Sequence, residues 1–356
     1  MTKQKTVFVG LSGGVDSSVA ALRLKNEGYN VVGVFIKVWH PDFLDCNWEQ
    51  ERLDAMRVAA KLDIPFLTCD AEEAYKKDVA DYFIAEYKAG RTPNPDVMCN
   101  KYVKFGSFMD FAFSHGADLV ATGHYAQKEE TAKEFHLLRG IDDNKDQSYF
   151  LWTLTQEQLS KILFPVGNTP KEQIRLEALS AGLLTAEKKD SQGICFLGHV
   201  DIPEFLSHYI DLQTGNVIDA DGSVIGKHKG ALVYTKGQRH GFTIKTNDAQ
   251  RQPLYVIERN IPKNTITVSP TKPIVTKSEV FTLTDLNCIA WEPQNNQMVS
   301  FQSRYRQKPT TATVHEVLLH KKMLILKLTE EADGLTSGQS CVLYSGSRCL
   351  GGGIIA

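Results

Sequence analysis

Two cysteines and a loop of glycines and serines are the residues of this chain whose types and spacing could do chemistry. Cys99 closes the run Arg91-Thr92-Pro93-Asn94-Pro95-Asp96-Val97-Met98-Cys99, whose two prolines and Asn and Asp residues oppose regular structure. A helical pattern follows from Lys101 to Ser114, so the thiol is expected near a helix N-terminus, where the dipole favours the thiolate. Free cysteine is also among the most buried residue types, and an inert packed thiol is the competing reading. Cys195 lies in Lys188-Lys189-Asp190-Ser191-Gln192-Gly193-Ile194-Cys195-Phe196-Leu197-Gly198. The two lysines upstream would stabilise a thiolate, whereas Ile194 and Phe196 would equally suit a packed one. The loop is Gly10-Leu11-Ser12-Gly13-Gly14-Val15-Asp16-Ser17-Ser18. Gly13 and Gly14 can take positive φ and fold main-chain N–H groups around an anion, with the hydroxyls of Ser12, Ser17 and Ser18 as further donors. Such a loop at the start of a helix is a cradle for pyrophosphate. It has neither the Gly-Lys-Ser/Thr of a P-loop nor the Gly-x-Gly-x-x-Gly of a dinucleotide fold, so no lysine is placed in it for a γ-phosphate.

The elements that must position these groups are legible as an alternation of strand and helix. Thr6–Val9, a helix near Ser17–Glu27, Val31–Lys37, a helix near Glu49–Leu62 and a strand Pro65–Thr68 predict a parallel, doubly wound sheet. Ligands of such sheets sit beyond the strand C-terminal ends, where the Gly10–Ser18 loop falls. A helix Ala71–Lys88 carries Tyr75, Val79, Phe83 and Tyr87 on one side, an apolar stripe for core packing. Asp118–Ala121 is a further strand and leads into Thr122-Gly123-His124-Tyr125, where Gly123 admits close backbone approach and His124 could donate to a phosphate or base, or be structural. A hairpin is expected at Ala126–Arg139, followed by Asn144-Lys145-Asp146-Gln147-Ser148-Tyr149-Phe150-Leu151. Lys145 could there meet phosphate and Gln147 a base edge, or the segment could form a solvated turn. Helices are expected at Gln156–Leu163 and Lys171–Ala181.

Beyond Tyr209 the texture changes to short β-branched and aromatic runs: Gly215–Ile218, Leu232–Tyr234, Tyr255–Glu258 and Thr265–Ser269. From Gly222 to Asn247 there is no acidic residue, while Lys227, Lys229, Lys236, Arg239 and Lys245 are interleaved with Tyr234 and Phe242. That pattern suits a phosphate backbone and stacked bases, or a solvated basic face. From about Lys277 the runs Val280–Leu283, Val299–Tyr305, Thr311–Leu318, Met323–Leu328 and Cys341–Tyr344 predict a small barrel or sandwich. Arg304, Arg306 and Lys308 form a second basic patch around Tyr305, and Gly351 to Gly353 suit a tight closing strand or bulge.

At 356 residues the chain is long enough for two or three domains, and a hydrophobic share of 42% with 23% charged residues is that of an ordinary globular protein. A net charge of −2 excludes a global attraction to nucleic acid and leaves local patches to hold one. The seven cysteines, Cys46, Cys69, Cys99, Cys195, Cys288, Cys341 and Cys349, have no zinc spacing and no disulfide framework, which fits a reducing compartment. Met1-Thr2-Lys3-Gln4-Lys5 runs straight into the first strand and no apolar run approaches a membrane span, so a cytoplasmic location with no membrane partner is expected.

The Ser-Gly-Gly-x-Asp-Ser order of the loop resembles that of the ATP-pyrophosphatase (PP-loop) family, whose adenine nucleotide alpha hydrolase-like domain cleaves ATP between the α- and β-phosphates. Together with Arg91–Asn100, Thr122–Tyr125, Lys145–Leu151, Asp190–Phe196, Tyr234–Arg239, Arg304–Gln307 and Gly338–Ser340, it makes the chain similar to the bacterial tRNA-specific 2-thiouridylases over nearly its full length. The resemblance implies a PP-loop catalytic domain at 1–208, a small β-rich tRNA-binding domain at 209–274 and a C-terminal β-barrel at 275–356. It implies ATP-dependent sulfur insertion at C2 of the wobble uridine in tRNAs for Lys, Glu and Gln, with Mg²⁺ accompanying ATP and no metal ligated by the chain itself. ATP would lie on Gly10, Leu11, Ser12, Gly13, Gly14, Val15, Asp16, Ser17, Ile36 and Gly123. Cys195 would receive sulfur as a persulfide from an upstream relay protein. Cys99 would either release sulfide from it or close a disulfide after the persulfide attacks. Asp96 would serve as acid and base. The anticodon loop would meet Asn94, Pro95, Asp96, His124, Lys145, Asp146, Gln147, Arg239, Arg304, Tyr305 and Gln339. Ile36 departs from the family, which usually has Met there. An amidating PP-loop synthetase would need neither cysteine, and a non-catalytic RNA-binding or sulfur-carrier protein would release no pyrophosphate.

Overall fold

The computed structural model describes residues 4–44, 48–190, 193, 195, 198, 200–245 and 252–356. Cys46, Asn247 and the residues Ser191, Gln192, Ile194, Phe196 and Leu197 around Cys195 lie outside them.

The strands in chain order are β1 (Thr6–Gly10), β2 (Asn30–Lys37), β3 (Phe66–Asp70), β4 (Leu119–Ala121), β5 (Ala126–Glu130), β6 (Phe135–Arg139) and β7 (Ile162–Leu163) in the N-terminal unit. Five of them form a parallel sheet in the order β3-β2-β1-β4-β7. The order reverses at β1, so the crevice beyond the ends of β1 and β4 is the topological switch point. Alternation along β1 divides the core. Val7 and Val9 face helices α1 (Val15–Asn26) and α2 (Trp48–Lys61), while Phe8 faces two long helical runs on the other side.

Those runs are α3, composed of Glu72–Tyr75, a π-type stretch Lys76–Asp81 and Tyr82–Lys88, and α4, composed of Pro95–Met98, a π-type stretch Cys99–Ser107 and Phe108–Ser114. A π turn takes up more residues than an α turn. The apolar stripe of α3 therefore begins in the first core with Tyr75 and Val79 and ends in the core of the middle unit with Phe83, Ile84 and Tyr87.

The middle unit comprises β8 (Gly215–Ile218), β9 (Val224–His228), β10 (Phe242–Ile244), β11 (Tyr255–Asn260) and β12 (Thr265–Ser269), in the order β10-β9-β8-β12-β11. The expected strand Leu232–Tyr234 is instead a 3₁₀ turn over Ala231–Val233, because Gly230 at φ 122° breaks the extended path.

The C-terminal unit contains β13 (Ile274–Val275), β14 (Val280–Cys288), β15 (Met298–Gln302), β16 (Thr310–Leu318), β17 (Met323–Leu328), β18 (Ala332–Asp333), β19 (Ser340–Ser345) and β20 (Arg348–Ile355). Six of these close an antiparallel barrel, β14-β17-β16-β15-β19-β20, sealed by β14 on β20. Gly351, at φ 115°, allows the closure: a Cβ there would lie 2.0 Å from the Asn287 carbonyl oxygen. The expected hairpin is β5–β6, but it belongs to the barrel's sheet, with Leu137 and Leu138 of β6 paired to Cys349 and Arg348.

Two further expectations shift. The helix read over Gln156–Leu163 ends at Lys161, and the apolar Ile162–Leu163 becomes an edge strand on β4. The helix read from Lys101 begins at Pro95, because Asn94 caps it by accepting the Val97 N–H at 3.2 Å and proline is tolerated at a first helical position. No helix among the described residues is long and apolar enough to cross a membrane.

Candidate active site

The Gly10–Ser18 loop occupies the switch point. Leu11 is buried and donates its N–H to the Val34 carbonyl at 2.7 Å, which ties the loop to β2. Gly13 has φ 70°, and a Cβ on it would lie 2.6 Å from the Glu51 carbonyl oxygen, so glycine is required there. Gly14, just before α1, donates its N–H to Ser12 Oγ at 3.4 Å, and its carbonyl accepts from Ser17 Oγ and Ser18 Oγ at 3.2 and 2.7 Å. The hydroxyls and the first N–H groups of α1 are thus gathered where the helix dipole favours an anion. Val15 packs into the core and Ile36 lies under Gly10, its Cδ1 3.7 Å from where a Gly10 Cβ would stand. Gly123 seats β4 on the helix start, since a Cβ there would meet Ser17 N at 2.6 Å.

The Asp16 carboxylate is held in an ion-pair network. Its carboxylate accepts from Lys171 Nζ at 2.7 and 2.8 Å and from the Tyr125 hydroxyl at 2.7 Å. Lys171 also reaches Asp190 at 2.8 Å, and Asp190 is paired with Lys145 and Arg175, each at 2.6 Å. Burial works against the Asp190 charge, but hydrogen bonds from Lys145 and Lys171 prevail and hold its pKa at about 2. Among the described residues no group of three or more His, Cys, Asp or Glu could hold a metal ion. With Asp16 paired to Lys171, the described residues offer no preformed metal site of their own.

The thiols meet on the other face of the sheet. Cys99 Sγ lies 3.3 Å from Cys195 Sγ, the Cys99 thiol donating. The Cys195 main chain is gripped at both ends, its N–H donating to Asp96 Oδ1 at 2.7 Å and its carbonyl accepting from the Tyr75 hydroxyl at 2.8 Å. Asn100 Nδ2 bonds the Asp96 carbonyl at 3.0 Å. Cys99 therefore sits one turn inside α4, not at its N-terminus, and the expected lowering of its pKa is reversed. Burial and the bond to Cys195 push the Cys99 thiol well above its usual range. Cys195 is lowered, by the Cys99 hydrogen bond first and then by the nearby Lys104 ammonium. Burial raises the Asp96 carboxyl. Lys104 lies on the same π-type stretch as Cys99, and its charge acts on Cys195. Burial opposes its charge, but the two thiols and Asp96 outweigh that, so it stays charged.

The other predicted residues are spread around this pair. His124 is buried, Nδ1 at 2.7 Å from Thr122 Oγ1, and is kept neutral by burial and by Lys104. Gln147 Oε1 accepts the Tyr125 N–H at 2.9 Å. Asp146 points inward, paired with Arg139 at 3.0 Å and accepting from Gly140 and Ser148. Tyr305 packs on Phe150, ring centroids 4.5 Å apart. Arg239 is exposed beside His240. Arg304 bonds the Lys236 carbonyl at 2.7 Å and Gln339 the Thr92 carbonyl at 2.8 Å. Sequence reasoning missed Lys104, Tyr75, Lys171 and Arg175. The spacing of Lys104 from Cys99 could have signalled the first, whereas the other three are joined to the site only by tertiary contacts.

A switch-point anion loop and a gripped dithiol in one unit define a nucleotide-binding α/β domain equipped for thiol chemistry. Family models agree in class: residues 5–199 match one described as a tRNA methyl transferase HUP domain, 203–270 its PRC-barrel domain and 278–355 an aminomethyltransferase beta-barrel domain. The tRNA-specific 2-thiouridylase MnmA of Listeria monocytogenes is 43% identical over 354 residues, spanning 98% of this chain and 94% of that protein. The enzyme of the same name from Alkaliphilus oremlandii is 44% identical over 358 residues, spanning 99% and 97%. The chain belongs to the tRNA-specific 2-thiouridylase family.

Proposed function

We infer that the chain is an ATP-dependent tRNA-uridine 2-sulfurtransferase, and the observation that carries this is the 3.3 Å approach of Cys99 and Cys195 in a chain of this family. The C2 oxygen of uridine is a poor leaving group, so it is first made one. That oxygen attacks the α-phosphorus of ATP, the bond to the bridging oxygen breaks and pyrophosphate departs into the N–H and hydroxyl donors of Gly10–Ser18, which stabilise its charge. The residues named for ATP are Gly10 through Ser17 with Ile36 and Gly123. Mg²⁺ would arrive on the phosphates of ATP, and no step is assigned to it.

Sulfur then has to come as a nucleophile. Cys195, with its lowered pKa, is the thiol suited to carry a terminal sulfur as a persulfide, supplied by an upstream relay protein. The terminal sulfur attacks C2, AMP leaves with the former uridine oxygen, and Cys99 attacks Cys195 Sγ. The bond between Cys195 and the transferred sulfur breaks. The products are 2-thiouridine, AMP, pyrophosphate and a Cys99–Cys195 disulfide, and the two thiols supply the two electrons and two protons of the exchange. An external dithiol reductant resets the pair. Asp96, raised by burial, would take and return a proton beside the base, with Asn94 and Pro95 shaping its pocket. The base has to leave the anticodon stack to enter it.

The domain division 1–208, 209–274 and 275–356 fits this reading, with His124, Lys145, Asp146, Gln147, Arg239, Arg304, Tyr305 and Gln339 along the RNA path, the wobble uridine of tRNAs for Lys, Glu and Gln as target and the cytoplasm as compartment. Mass spectrometry of tRNA nucleosides after incubation with ATP, Mg²⁺ and a sulfide source tests it. A uridine whose mass shows oxygen exchanged for sulfur is expected, and its absence with every tRNA pool rejects the reading.

A further inference from the structure

Thr92 is the point at which all three units of the chain meet. It is buried, at 7% exposure, just ahead of the Asn94–Asp96 segment. Its N–H donates to the Ser337 carbonyl at 2.9 Å and its carbonyl accepts from Gln339 Nε2 at 2.8 Å, so a turn of the barrel brackets one peptide of the catalytic unit from both sides. Its hydroxyl lies 3.2 Å from that of Thr235 in the middle unit. Gly338, between the two bracketing residues, has φ 90°, and a Cβ on it would stand 2.8 Å from Thr92 N and 2.9 Å from Arg91 Cβ. The close seat requires glycine there.

The turn is itself held. Gly338 donates to the Ile355 carbonyl and Ile355 to the Gln339 carbonyl, each at 2.9 Å, so the end of β20 anchors it. Arg304 reaches from the barrel to the Lys236 carbonyl at 2.7 Å and to Thr336 Oγ1 at 3.4 Å, fastening turn and middle unit together. A second strut runs alongside: the buried Tyr149 hydroxyl donates to the Ser340 carbonyl at 3.0 Å, beside the Asn94 side chain. From Asn94 the path to chemistry is short, because Asn94 caps the helix carrying Asp96 and Cys99, and Asp96 holds the Cys195 N–H.

We propose that the Thr336–Gln339 turn of the barrel is a positioning element for the reaction: seated on Thr92, it fixes the Asn94–Asp96 pocket and through Asp96 the Cys195 main chain. Gln339 and Arg304 then act as bolts between units in addition to the RNA contacts assigned to them. An RNA lying across the seam bears on the same residues that set the pocket, which couples docking to the geometry of the thiol pair. The proposal rests on the sulfurtransferase reading for its kinetic arm only.

The test uses the full chain with Gln339→Met, similar in length but without a donor, and Gly338→Ala. Three quantities are read: Cys195 alkylation by iodoacetamide without ATP or RNA, mapped by peptide mass spectrometry; kcat at saturating tRNA; and the Kd for tRNA. The seat predicts faster Cys195 alkylation together with a kcat lowered about 100-fold, the scale of a small misplacement at a reacting centre. Unchanged alkylation overturns the proposal, as does unchanged kcat, including the case where only tRNA affinity falls, which would make Gln339 an RNA contact alone. If Gly338→Ala does not fold, Gln339→Met carries the test. If the wild-type chain thiolates no tRNA, the functional reading fails by itself, and the alkylation arm still decides whether the turn positions Cys195.

Discussion

Cys99 and Cys195, with their sulfurs 3.3 Å apart, are shifted in opposite directions by the burial of Cys99 and by the hydrogen bond between them. The Cys99 thiol donates and is raised, and the Cys195 sulfur accepts and is lowered. Cys195 should therefore be alkylated first as pH rises from mildly acidic values, and Cys99→Ala, which removes the donor, should move the midpoint of that profile upward. Both Cys99→Ser and Cys195→Ser should abolish turnover, while ATP binding is retained. Peptide-resolved alkylation between pH 5 and 9 checks the order, and earlier reaction at Cys99 would contradict it.

Lys104 adds the second part of that bias. Its ammonium faces Cys195, Cys99 and Asp96, and it lowers the buried His124 as well. Lys104→Met keeps the stem but removes the charge, so the Cys195 thiol should rise and His124 should rise with it. The higher Cys195 pKa should slow its alkylation at neutral pH, because less of the thiol is then thiolate. Lys104→Arg should restore most of the rate. A profile unmoved by Lys104→Met would assign the lysine to packing only.

The legible part of this site is the part written in local chain geometry. The loop Gly10–Ser18 declares itself because a strand, small residues and a helix must follow one another to make an anion cradle, and the structure places it at the switch point of β1 and β4. The sequence puts Cys99 near a helix start because Pro93 and Pro95 look like breakers, although proline is acceptable at the first position of the helix that Asn94 caps. The buried ionic partners could not be read. Lys171 and Asp16 are far apart in sequence, and only the packing of helix Lys171–Ser180 on α1 brings them within 2.7 Å. The β5–β6 hairpin was legible as a hairpin, but its pairing with β20 depends on a strand near the other end of the chain.

Asp190 joins Lys145, Lys171 and Arg175, and its depressed pKa makes it a term in stability. A carboxylate held at about 2 when folded and near 3.9 when unfolded contributes stability above the unfolded value and loses it as pH falls from about 4 towards 2. After screening of this partly exposed group, Asp190→Asn should cost on the order of 1 to 2 kcal/mol at pH 7. Urea titrations of both proteins at several pH values measure it. The difference should shrink below about pH 4 and vanish only below about pH 2, and one that persists there would locate the effect in something other than the carboxylate charge.

Gly13 and Gly123 make the sharpest separation of activation from sulfur transfer. A methyl on Gly13 would meet the Glu51 carbonyl oxygen at 2.6 Å on a backbone of φ 70°, and one on Gly123 would meet Ser17 N at 2.6 Å. Backbone or α2 has to move in either variant, which displaces the N–H groups of the cradle and so costs pyrophosphate stabilisation without touching the thiols on the opposite face of the sheet. Gly13→Ala should lower tRNA-dependent pyrophosphate release by about 100-fold or more, the scale of a lost anion donor. Cys195 alkylation and its pH midpoint should stay as in the parent chain. Equal loss of both would mean that the loop and the dithiol form one mechanical unit, and retained pyrophosphate release in Gly13→Ala would remove the loop from the activation step.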